Sequence, residues 1–151
     1  KVVNKTMFNN LVNDNLLPAP NKKKDSKGHI LLLIFIYYFK NMLSINDIVE
    51  LFRPITTGHF ARKDDLPLED IYKEIFSLES KEMEHLREDV KAKYERAGGT
   101  FMDDSLAEED REYLQLFSFI CELSFDVYLK KQMVEQMIDE LRETNPARKK
   151  K

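Results

Sequence analysis

Thr6, Asn9, Asn10 and Asn13 are spaced i, i+3, i+4, i+7, the spacing of one face of an α-helix. A row of carboxamides can donate to and accept from a base edge in pairs, the contact that reads adenine. Lys5 precedes the row, and Lys22, Lys23, Lys24 and Lys27 follow it. Clustered lysines suit phosphate oxygens. The chemistry in this stretch is recognition of a polyanion, not bond making. Elsewhere, reactive side chains are sparse. His29, His59 and His85 share no metal-ligand spacing, and one cysteine excludes an internal disulfide or a cysteine-based zinc site. Cys121, between Ile120 and Leu123, is expected to be an inert buried thiol. No Gly-rich phosphate loop, paired-His helix or Ser/His/Asp signature is present. No metal, no cofactor and no enzymatic activity are expected.

The elements that must position these residues follow from periodicity and punctuation. Asn4 can cap a helix from about Lys5 to Asn13, with Met7, Phe8, Leu11 and Val12 as its apolar positions. Pro18 and Pro20 then force an extended path, and 21–27 is a basic loop or short hairpin. A second helix, capped by Ser26 or Asp25, is expected through about Lys40. Its run of apolar residues could also suit a buried strand, but its length favours helix. Ser44 and Asp47 form a capping-box-like pair opening a third helix to Leu51 or Phe52, closed by Pro54. Pro67 suits the first turn of a long helix to about Ala97, stopped by Gly98-Gly99. Ser105 with Glu108 is a second capping box. It opens a last helix to about Glu143, with Tyr113, Phe117, Ile120, Val127, Val134, Ile138 and Leu141 as its apolar seam.

Composition agrees with this outline. Only 4 Gly and 5 Pro among 151 residues argue against a turn-rich β-fold, and 34% charged residues suit long helices. The fold class is therefore mainly all-α. The longest apolar run, Ile30 to Phe39, is too short to cross a membrane, and the polar first stretch is unlike a signal peptide. A cytoplasmic protein without membrane contact is expected. Charge is divided unevenly. Residues 1–63 carry ten Lys/Arg against four Asp/Glu, net +6, whereas 64–147 carry ten against 23, net −13, and the tail adds four cations. A basic head on an acidic body points to a polyanionic partner for the head.

The order of polar-faced helix, Leu-Leu-Pro, Lys-rich turn and two helices is that of a winged helix-turn-helix. Its residues resemble the MerR-type DNA-binding domain. The turn after that family's recognition helix, Gly-Leu-Leu/Ile-Pro, is matched by Asn15-Leu16-Leu17-Pro18. Its wing, Arg-x-Tyr-Ser/Thr, is matched in part by Lys23-Lys24-Asp25-Ser26. Its next apolar positions correspond to Ile30, Leu33 and Ile36, and its apolar-Ser-Leu-Glu-Glu-Ile phrase to Leu43-Ser44-Ile45-Asn46-Asp47-Ile48. More closely, residues 4–55 resemble a bacterial family of unknown function with such a domain before a helical C-terminal half. The runs NNLVNDNLLPAPNKKK, HILLLIFIYYFK and LSINDIVELF carry that resemblance.

The resemblance implies a MerR-like winged helix-turn-helix over 1–57, whose first helix is missing from the chain. Two long antiparallel helices over 66–143 and a basic tail over 144–151 would follow. It implies a DNA-binding transcriptional regulator, with Lys5, Thr6, Asn9, Asn10, Asn13, Lys22, Lys23, Lys24 and Lys27 at double-stranded DNA. The long helices carry apolar residues off the main seam, and a partner hairpin would cover them. Leu114, Leu123, Phe125, Tyr128 and Met137 are therefore expected to build a homodimer. The alternative is an adaptor that reuses a winged-helix fold for protein contacts. The sequence does not say whether a small-molecule effector exists.

Overall fold

The computed structural model describes residues 26–56 and 67–144. They form four helices: α1 (Ser26–Phe39), α2 (Ile45–Pro54), α3 (Leu68–Gly98) and α4 (Glu108–Thr144). No strand occurs among the described residues. The chain is thus mainly helical, as its composition suggests, but the strands of a winged helix are not shown. The expected polar-faced helix and the wing fall in 1–25, outside the described residues. Contacts divide the chain into two compact units. One joins Lys1–Ile75 to Val134–Lys151, and the other is Phe76–Met133.

In the first unit, α1 resolves the strand-or-helix ambiguity of its apolar run. His29, Leu32, Phe35 and Ile36 are buried along one face, at the three- and four-residue steps of a helix. Leu32 and Ile36 have no exposed surface, and burying each such side chain is worth about 1.5–3 kcal/mol. Phe39 O accepts from the amides of Met42 and Leu43 (both 2.9 Å), which ends the helix. α2 opens as expected. The Ser44 hydroxyl accepts from the Asp47 amide (3.1 Å) and donates to the Asp47 carboxylate (2.6 Å). Its end differs from expectation, running through Pro54 rather than stopping at Leu51 or Phe52. Proline's fixed φ is helical, and in a last turn its missing N–H forfeits a single bond. The Ile55 amide and the Thr56 hydroxyl then cap the Phe52 carbonyl.

Phe52 draws the helices of this unit together. Its ring lies 5.8 Å from Phe35 and 6.0 Å from Phe39, and Phe35 meets Tyr72 of α3 at 5.9 Å. Ile138, near the end of α4, belongs to the same unit and is buried at 2% exposure.

In the second unit, α3 and α4 run antiparallel. Gly98, Tyr94 and Lys93 of α3 meet Gln115, Phe119 and Asp126 of α4 in turn. One local expectation is corrected here. The helix-opening role of Ser105 and Glu108 is not realised. Instead, Asp103 accepts from the Ser105 amide (2.8 Å), and the Ala107 carbonyl takes the Arg111 amide of α4's first turn (3.0 Å). α3 ends at Gly98, as expected from Gly98-Gly99, but the stop does not come from a left-handed glycine. Neither has positive φ, and the left-handed position is Phe101, at φ 54°.

Candidate functional site

Of the nine residues expected at DNA, eight (Lys5, Thr6, Asn9, Asn10, Asn13, Lys22, Lys23 and Lys24) lie outside the described residues. Lys27 is described, exposed on the first turn of α1. Its ammonium is paired with the carboxylate of Glu69 in the first turn of α3, which Lys73 also meets at 3.0 Å. Lys27, and then Lys73, hold the Glu69 carboxyl down to about 2. Lys27 is thus engaged within its own unit.

A second ionic cluster ties α4 to α2 in the same unit. Arg142 donates to Asp47 at 2.6 Å, with both side chains half-buried. The Ser44 hydroxyl first, then Arg142, keep the Asp47 carboxyl below its ordinary value, although burial opposes this. Glu50, also buried, meets Arg53 at 3.1 Å. Asp47, which pairs with the capping Ser44 at the start of α2, therefore also receives the end of α4.

The hairpin of the second unit is joined by polar groups. Gln115 donates its amide to the carbonyls of Gly98 and Thr100 (both 3.0 Å), satisfying acceptors that the end of α3 leaves open. The Thr100 hydroxyl meets Ser118 at 3.2 Å, and Arg96 meets Glu122 at 2.8 Å. Lys93 is buried between Asp89 and Asp126, the latter at 3.5 Å. The Asp89 carboxylate is the main cause of Lys93's raised pKa.

The expected apolar seam is buried at Ile138 and half-buried at Val134, but its N-terminal half faces elsewhere. Tyr113, Phe117, Ile120 and Val127 are each at least half exposed. They lie on the opposite side of α4 from Gln115, Ser118, Glu122 and Asp126, by the 100° turn per residue. Periodicity identifies an apolar stripe correctly, yet it does not say which neighbour covers it. Among the expected dimer residues, Leu114 and Leu123 are half-buried, and Phe125, Tyr128 and Met137 are exposed. Cys121, expected to be buried, is a half-buried free thiol.

Sequence reasoning missed a groove along one side of this hairpin. Leu86, Arg87, Val90, Lys91, Tyr94 and Phe119 line one depression, and Tyr94, Ala97, Gly98, Glu112, Gln115, Leu116 and Phe119 line the next. Tyr94 and Phe119 are common to both and pack edge to face at 5.5 Å. The signal was present in Leu86, Val90 and Tyr94, spaced by four. Those residues are equally what an ordinary hairpin core would contain. Among the described residues no cluster of His, Cys, Asp or Glu could hold a metal ion, and no helix is long and apolar enough to cross a membrane.

Residues 1–75 match a family of domains. Its description is Domain of unknown function (DUF1836). The DUF1836 match ends at Ile75, where the first stretch of the first compact unit also ends. It agrees with the expectation of a family of unknown function, and it carries no MerR-like assignment. No curated protein and no solved structure matches the chain.

Proposed function

We propose that the protein is a DNA-binding transcriptional regulator of MerR-like type, working in the cytoplasm as a pair of chains and without catalysis. The observation that carries this reading is the charge division: +6 over 1–63 against −13 over 64–147. The cations thus concentrate within the stretch matched to DUF1836. Lys5, Lys22, Lys23 and Lys24 would meet phosphates, and Thr6, Asn9, Asn10 and Asn13 would read base edges. Lys27 is the weakest member of the set, because Glu69 already neutralises it.

Titration of duplex DNA at several salt concentrations tests this. Replacing Lys22, Lys23 and Lys24 by Ala should lower the slope of log K against log salt by roughly 3 per head. Replacing Asn10 should relax sequence preference, at about 1–3 kcal/mol if it contacts a base in two places. An unchanged slope in the triple variant would show that these lysines do not meet DNA. The second reading, an adaptor for protein contacts, is favoured by one observation, the apolar groove on an otherwise acidic hairpin. It requires that duplex DNA not bind at all.

A further inference from the structure

The hairpin of the second unit does not bury enough to stand alone. Within Phe76–Met133, the buried residues are Lys93 and Ala97, one charged and one very small. A unit of this size needs a real apolar core, or a partner that completes one. The missing apolar surface is present but only partly covered. Leu116, Phe119, Ile120, Leu123 and Val127 follow i, i+3, i+4, i+7, i+11 on α4, and Leu86, Val90 and Tyr94 rise beside Phe119 on α3.

We infer that this grooved face is where a second copy of the chain docks, hairpin against hairpin, to complete a four-helix core. Two observations favour a second copy over a foreign partner. The first is area. Leu86, Tyr94, Leu116, Ile120 and Val127 are 47%, 65%, 56%, 51% and 63% exposed. At on the order of 100 Å² each they offer roughly 500 Å² per copy, more than half of the ~800 Å² per partner in a stable interface. The second is charge. Arg87 and Lys91 line the α3 side of the groove, and Glu112 lines the α4 side, where the first turn of α4 adds Glu108 and Glu109. A two-fold contact brings the same patch to itself. A face with one basic and one acidic edge therefore complements its own copy when α3 of one copy lies against α4 of the other. The register favours pairing and penalises the alternative in which like edges meet.

This inference rests on the paired state in the proposed function and not on its DNA contact, so the test omits DNA. Sedimentation equilibrium of the full chain at about 10 μM should give a dimer. Arg87→Glu with Lys91→Glu should weaken it roughly 100-fold by setting like charges across the contact. Glu109→Lys with Glu112→Lys should do the same. An equimolar mixture of the two variants should recover a dimer, because both contacts of the mixed pair are again opposite in charge. Circular dichroism should show helix content at least as high in the mixture as in either variant alone. A monomeric wild-type chain overturns the inference and leaves the face to another kind of partner. So does a wild-type dimer that both variants retain, or a mixture that stays monomeric. A dimer confirmed this way with no DNA binding would remove the regulator reading and leave the interface standing.

Discussion

Phe101 is held at φ 54° in the link between the two hairpin helices, a conformation that costs an L-residue about 1–2 kcal/mol. Phe101→Gly should therefore raise stability by about 1 kcal/mol, read as a higher urea midpoint at unchanged m-value. A lower midpoint would mean that the Phe ring contributes more than its backbone costs. Gly98 is not needed for its conformational freedom, since its φ is not positive, and a Cβ there would meet nothing within 4 Å. Glu69 offers a second test at this scale. Its folded pKa is depressed from 4.5 to about 2, so its pairing with Lys27 and Lys73 contributes stability above the unfolded value. That contribution disappears as pH falls from 4.5 toward about 2. Carboxyl NMR titration should follow Glu69 through that window. In a Lys27→Ala chain its midpoint should move up, and a fixed midpoint would deny the pairing. Ser44 with Asp47 was legible at this scale because a cap acts over three residues. The Lys27–Glu69 pair was not, because 42 positions separate its partners.

At the scale of elements, α1 to α4 were legible to within a few residues, since apolar spacing, proline and capping act locally. What covers each face was not. Along α4, Ile138 is buried in the first unit while its neighbour Met137 is 54% exposed. Ile138→Ala should lower stability by about 2–4 kcal/mol through lost contact and a residual cavity. Met137→Ala should change a monomer by less than about 0.5 kcal/mol. Equal effects in chemical denaturation would place the terminal turns of α4 outside that core. Arg142→Ala should also destabilise, because it leaves the half-buried Asp47 with only its Ser44 contacts. The seam read from Tyr113 to Leu141, buried at Ile138 but exposed from Tyr113 to Val127, illustrates the limit. Its period is real, but the hairpin closes on Gln115, Ser118, Glu122 and Asp126, whose hydrogen bonds and charges find partners on α3 and in the link just after it.

For the whole molecule, the proposed pairing predicts a stability that depends on protein concentration. The melting temperature should rise when the chain is concentrated about tenfold, because mass action favours the dimer over two unfolded chains. A concentration-independent value in a reversible transition would speak for a monomer. The amino-acid sequence alone determined the helical class, the four described helices and the division of charge, since each follows from composition or from neighbours within a turn or two. The tertiary structure decided which faces meet. It brought Val134–Thr144 into one unit with the N-terminal helices, set Asp47 against Arg142, and left Leu86, Tyr94 and Leu116 along an open groove. An apolar residue at helical spacing must be covered, but spacing within one helix carries no term for the identity of the cover. That identity depends on contacts between residues distant along the chain.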